Sequence, residues 1–212
     1  MAKRIDTREE ILRAASSLFF ERGYGGTSTR DIAEAVGIRQ PSLFHHFASK
    51  RAIMDELFAS GLASVPFAER MAAADGSPAV RLYRYLRSDT AMLLASPYDL
   101  SGIFDSVLFL PEFERWREPY GRLLAAIERI IREGIAAGEL RDVDVAFAVA
   151  TIDGLNEVTI RSASPRGSAR SLAGYPDLVA TFALRGILAD AAAIGRVRAA
   201  ADEADLLAPA EA

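Results

Sequence analysis

Of the 212 residues, half are hydrophobic and a quarter charged, with a net charge of −4 and no cysteine. This is the composition of an ordinary globular protein, long enough for a small domain and a larger one with its own core. The missing cysteines exclude disulfides, thiolate catalysis and zinc–thiolate centres together.

Thr7 and Glu10 read as a capping pair, and Ile11, Ala15, Leu18 and Phe19 then recur at helical spacing, which predicts a first helix ending near Gly23. Ser28 and Asp31 form a second capping pair that opens a helix carrying Ile32, Ala33 and Val36. Gly37 suits the left-handed turn that ends it, with Ile38 packing behind. Pro41 fits the first turn of a third helix, where its missing N–H costs nothing. Leu43 and Phe47, four apart, face inward, which leaves Gln40, Ser42, Phe44, His45 and His46 on or near the outer side. Lys50 opens a fourth helix. Two short helices around a glycine turn, supported by a first, are the layout of a helix-turn-helix. Its predicted core is Ile11, Ala15, Leu18, Phe19, Ile32, Val36, Ile38, Leu43 and Phe47, too small to be stable alone.

The run Gly23, Tyr24, Thr27, Ser28, Ile32, Ala33, Gly37, Ile38, Leu43, Phe44, His46, Phe47 and Lys50 keeps a family's spacing throughout. From about Thr7 to Leu57 the chain resembles the TetR family of bacterial transcriptional regulators. It departs from the pattern twice. Phe44 stands where the family usually has tyrosine, so a phosphate-donating hydroxyl is absent, and Arg39 replaces the usual Ser or Thr ahead of the third helix. Arginine cannot cap with a side-chain oxygen; Pro41 compensates, and Arg39 is left to reach the DNA backbone.

The exposed groups take their expected roles from what DNA offers. Arg30 and Gln40 suit guanine and adenine edges and are the leading base readers, with Ser42 and His45 next. Thr29, His46 and Lys50 are expected at phosphates, which set register rather than sequence. Ser28, Arg39 and Phe44 complete the expected DNA-binding set. Residues 1 to 51 carry nine Lys or Arg against six Asp or Glu, a balance of +3 inside an acidic chain, which agrees in sign with a DNA-facing end. His45 and His46 are the only histidines; neighbours point about 100° apart on a helix, and no further soft ligand is present, so no metal site and no cofactor is expected.

Beyond the head the chain reads as all helix, with breaks where Gly, Pro, Ser and Asp gather. Helices are predicted at about 48 to 64, 78 to 95, 100 to 109, 112 to 137, 143 to 162 and 176 to 195, and no strand pattern appears. The expected organisation is all-α: a helix-turn-helix DNA-binding domain over residues 1–50 and a helical effector-binding and dimerisation domain over 51–212. Val145, Val149, Ile152 and Leu155 form one stripe, and Leu178, Phe182 and Ile187 another. Two such helices from each subunit would build a four-helix dimer interface, although the same stripes would also serve a monomer core.

Met54, Phe58, Leu62, Phe67, Tyr83, Leu86, Phe104, Leu108, Phe113, Trp116 and Tyr120 are either core or the lining of an effector pocket. The resemblance implies that a small molecule binds there and alters the separation of two heads in a homodimer. Apolar and aromatic candidates favour a hydrophobic or planar compound. An enzyme reading finds no nucleophile elbow, no phosphate-binding Gly-Lys loop and no paired-histidine metal motif; an adaptor for another protein is a third possibility. The expected role is a transcriptional repressor released from double-stranded operator DNA by its effector. The basic start without an apolar leader, and the lack of a bilayer-length apolar segment, predict a cytoplasmic protein with no membrane partner.

Overall fold

A computed structural model describes residues 6–100, 107–163 and 172–207. Among these residues the regular structure is helical, and one isolated antiparallel bridge joins Leu140 to Leu188. The chain divides into two compact units, Met1–Ala63 with Ala95–Glu118, and Ser64–Leu94 with Pro119–Ala212.

The first unit holds α1 (Thr7–Arg22), α2 (Thr29–Val36), α3 (Gln40–His46), α4 (Lys50–Gly61) and a 3-10 helix (Pro111–Trp116). The cap of α1 is Asp6, not Thr7: its Oδ1 accepts from the Arg8 N–H at 3.1 Å, and a carboxylate suits the positive end of the helix dipole. The capping box of α2 is present as predicted, and Gly37 ends that helix at φ 77°, where a side chain would be strained. Pro41 lies in the first turn of α3, and Arg39 makes no side-chain cap.

Ile11, Ala15, Ile32 and Leu43 are fully buried, and Leu18, Phe19 and Phe47 nearly so. Val36 and Ile38 are only half-buried and belong to the rim of this core rather than its centre. The predicted boundary after residue 50 falls within α4, whose Ile53, Met54, Leu57 and Phe58 are buried in the first unit. Residues 95–118 join the same unit, an arrangement that helical periodicity cannot reveal.

The second unit contains α5 (Val65–Ala73), most of α6 (Pro78–Ala95) and of α7 (Arg117–Ala136), α8 (Val145–Ala163), α9 (Tyr175–Ile187) and α10 (Ile194–Leu207). The segment predicted as one helix from 112 to 137 is the 3-10 helix followed by α7, and the helix predicted at 100–109 falls largely on residues outside those described. Helix α5 is additional to the predicted elements; Pro66 stands in its first turn. Helix α9 stops at Ile187 rather than near 195, because Leu188 turns extended and the chain pairs with residues 139–141: Arg141 N–H donates to Ile187 O at 2.8 Å and Ala189 N–H to Glu139 O at 2.9 Å.

Helix α10, also additional, is joined to α6 by charge. The Arg84 Nε donates to Asp205 at 2.7 Å, and Arg87 binds Asp202 and Asp205. At Gly134 an added Cβ would lie 2.6 Å from Leu140 Cγ and Cδ1, so the glycine lets the 139–141 segment pack directly on α7.

Candidate nucleic-acid interface

The turn between α1 and α2 is built by buried polar side chains. Thr27, 2% exposed, places its hydroxyl 3.0 Å from Gly23 O and 3.1 Å from Leu18 O, tying down the open end of α1. Ser28 accepts from Asp31 N–H at 3.2 Å while its own N–H donates to Asp31 Oδ2 at 2.8 Å. Its hydroxyl is therefore occupied in the cap of α2. The Ser28 hydroxyl and amide, in that order with the nearby Arg22 and Arg30 charges, hold the Asp31 carboxyl below its usual range.

On the outer side, Arg30, Glu34 and Gln40 line one depression of about 360 Å³ with Ala33 and Ile38. The two predicted base readers, from different helices, thus share one surface. Glu34, one turn after Arg30, is not among the predicted site residues; a carboxylate there is an acceptor suited to a cytosine amino group. The Gln40 Nε2 donates to Thr29 Oγ1 at 2.8 Å, so the hydroxyl expected at a phosphate is engaged with the neighbouring reader. Arg39, Phe44, His45 and His46 are exposed and Ser42 is half-buried. Phe44 presents a bare ring, 46% exposed.

Lys50 is engaged within the head itself. Its Nζ donates to Tyr24 O at 2.7 Å and Thr27 O at 2.8 Å, and stands 4.1 Å from the centre of the Tyr24 ring. The ammonium is a bracket between the start of α4 and the α1–α2 turn. The Tyr24 ring is in turn packed between Phe19 and Phe113, at 5.3 and 5.2 Å. Lys50→Ala is expected to lower the stability of the first unit by about 2 kcal/mol, the sum of two charge-assisted bonds and a half-exposed cation–π contact. Urea unfolding followed through Trp116, the single tryptophan, reads this unit directly. Unchanged stability with a shallower salt dependence of DNA binding would instead restore Lys50 to a purely phosphate-binding role.

The predicted effector-pocket residues divide between the two units. In the first, Met54, Phe58, Leu62, Leu108 and Phe113 are buried. Phe58 packs on Phe113 at 5.3 Å and stacks on Trp116 at 5.8 Å, whose indole N–H donates to Asp55 at 2.7 Å. These rings fill one another's space. In the second unit Tyr83 and Leu86 are buried and Phe67 and Tyr120 half-buried. Phe104 lies outside the described residues.

The second unit also encloses a polar cluster. Asp89, 3% exposed, accepts from Asn156 Nδ2 at 2.7 Å and Tyr85 Oη at 3.3 Å, while Thr90 donates to Asn156 Oδ1 at 3.0 Å. Burial, with the Asp153 charge adding to it, pushes the Asp89 carboxyl from 3.8 up to about 6, against the hydrogen bonds that favour its ionised form.

Between about pH 4 and 6 the folded chain therefore holds a proton that the unfolded chain has released, so stability falls as pH rises through that window. The contribution is roughly 3 kcal/mol. Asp89→Asn is expected to remove this slope, which paired urea titrations by circular dichroism at pH 4.5 and 7 measure. Equal slopes in the two proteins would mean that Asp89 titrates normally.

The predicted dimer stripe is also redistributed. Val149 and Ile152, at 8% and 4% exposure, are buried within the subunit, whereas Leu178 and Phe182 are exposed. Val145, Leu155 and Ile187 are half-buried. The outward face of α8 and α9 is an open apolar groove of about 450 Å³, lined by Phe147, Thr151, Leu155, Val158, Phe182 and Ile187 among others. Phe147 and Val158, which the stripe omits, lie to one side of it.

The geometry defines a helix-turn-helix DNA-binding head carried by an all-helical chain. Residues 11–57 match the family described as bacterial regulatory proteins, tetR family. The HTH-type transcriptional repressor KstR2 of Rhodococcus jostii (strain RHA1) is 30% identical over 166 residues, 76% of this chain and 81% of that protein. The class A tetracycline repressor from transposon 1721 of Escherichia coli is 44% identical over 64 residues, 28% of this chain and 30% of its own.

Among solved structures, AmtR of Mycobacterium smegmatis superposes with a TM-score of 0.73 at 32% identity, covering 87% of each chain. PfmR of Thermus thermophilus, a TetR family transcriptional regulator, gives 0.63 at 28% identity over 82% of this chain and 97% of that one. The chain belongs to the TetR family, and it is a DNA-binding transcriptional regulator rather than an enzyme. Among the described residues no helix is long and apolar enough to cross a membrane.

Proposed function

We propose that the protein is a homodimeric repressor that leaves its operator when a small hydrophobic or aromatic effector binds the second unit. The observation that carries the dimer is the exposed apolar face of α8 and α9, with Phe147 72% and Phe182 70% exposed to solvent in the isolated subunit. Apolar faces of this kind mark association sites. Twofold pairing lets two heads meet half-sites one helical turn, about 34 Å, apart.

The effector site is assigned to the helices around Phe67, Tyr83, Leu86 and Tyr120. Nearby hydroxyls and carboxylates, with Tyr83 donating to Asp177 at 2.8 Å and Tyr120 to Asp153 at 2.5 Å, give a planar apolar compound polar anchors. Ligand need only favour a head separation that misfits the operator. Arg30 and Gln40 read bases, with Ser42 and His45 next, and Arg39 and His46 set register on the phosphates.

The test is fluorescence-anisotropy titration with duplex DNA from the regulator's own promoter region, with and without a panel of hydrophobic aromatic compounds. The expected result is salt-dependent, sequence-specific binding that at least one compound releases. Binding indifferent to sequence would contradict the regulator reading, and turnover of a bound compound would contradict the effector reading.

A further inference from the structure

We propose that Thr29 is a positioning residue that determines which base edge Gln40 presents to DNA. The inference rests on the reading of Gln40 as a base reader. A glutamine amide carries one carbonyl acceptor and two N–H donors on the same plane, and its terminal torsion is broad and nearly twofold. Left free, it turns over and offers either order of donor and acceptor. A fixed base preference therefore needs something that holds the amide.

Thr29 supplies that restraint. It is the first residue of α2 and Gln40 the first of α3, eleven positions apart, and the glycine turn at Gly37 brings them together so that Nε2 donates to Thr29 Oγ1 at 2.8 Å. Both residues are half-buried, and Gln40 lines the same depression as Arg30. With one N–H committed to Thr29, the amide retains one N–H and the carbonyl oxygen. This donor–acceptor pair is the complement of adenine, whose major-groove edge offers the N7 acceptor and the N6 donor. The hydroxyl thus acts on sequence preference through its neighbour, whereas a phosphate contact would raise affinity for every sequence alike.

The experiment uses the full-length protein and a duplex recovered by it from a randomised DNA pool, together with duplexes carrying the other three bases at each half-site position. Gln40→Ala identifies the position at which discrimination is lost. At that position Thr29→Val, which keeps the branched shape and removes the acceptor, is expected to lower the preference for adenine about fivefold to tenfold. Thr29→Ser restores most of it, and the slope of affinity against salt is unchanged in both.

In the Gln40→Ala background Thr29→Val has no further effect, because the two act as a unit. Affinity for an unrelated duplex and the circular dichroism spectrum confirm that each variant is folded. Thr29→Val overturns the proposal if discrimination is intact, if all duplexes weaken equally, or if the effect persists without Gln40. If Gln40→Ala itself changes discrimination nowhere, the base-reader assignment fails and the positioning role with it.

Discussion

Phe147→Glu combined with Phe182→Glu is expected to leave a folded monomer whose affinity for its operator is lower by roughly 100-fold or more. Both side chains are exposed in the subunit, so their loss removes little from its own core. In a twofold dimer each appears twice, and four phenylalanines leave water. At about 1.5–3 kcal/mol for a fully buried large apolar side chain, the double substitution costs more than about 6 kcal/mol of association, before the repulsion of four carboxylates is counted. Two heads joined by a dimer bind with the advantage of high effective concentration, which the monomer loses. Sedimentation gives the oligomeric state and anisotropy the affinity. A variant that stays dimeric would move the interface away from α8 and α9.

The second large effect is expected at Arg81. Its side chain is nearly buried; Nη1 donates to Met71 O at 3.1 Å and Ala72 O at 3.3 Å, and Nη2 donates to Glu133 Oε2 at 2.6 Å. The guanidinium thereby satisfies carbonyls at the end of α5 that have no helical partner and fastens that end to α7. Arg81→Ala leaves those carbonyls buried, and a cost of about 2–4 kcal/mol follows mainly from them. Glu133 is partly exposed and regains water, so its share is small.

Arg81, and then Arg129, hold the Glu133 carboxyl below its usual range. That stabilisation is present above the ordinary carboxylate pKa and is lost on acidification, so the variant also has a weaker acid dependence. Urea unfolding by circular dichroism at pH 7 and pH 3.5 measures both. A midpoint within error of wild type would show that α5 is secured by other contacts.

The legible and illegible parts of this molecule differ in the distance over which their interactions act. The Ser28–Asp31 box, the Gly37 turn and Pro41 in the first turn of α3 are local chemistry, and each can be read from neighbouring letters. The Lys50 bracket cannot, because its partners are backbone carbonyls 23 and 26 positions away that no residue type announces. Helix α10 escapes for a similar reason. It lacks a marked apolar stripe and is fastened by Arg84 and Arg87 more than a hundred residues earlier.

In α8 the apolar residues run around most of the helix, so periodicity alone does not separate Val149 and Ile152, which face the subunit interior, from Phe147 and Val158, which face out. The bond between Thr29 and Gln40 falls between these cases. Both residues read as polar and outward, but their engagement depends on how the glycine turn sets one helix against the other.

Whether two outward-facing heads read one palindrome is tested most directly by the stoichiometry and footprint of the complex on its own promoter DNA. Two subunits per duplex are expected, protecting paired half-sites about 34 Å apart on one face. A single subunit protecting a lone half-site, or protection with no fixed position, would contradict it.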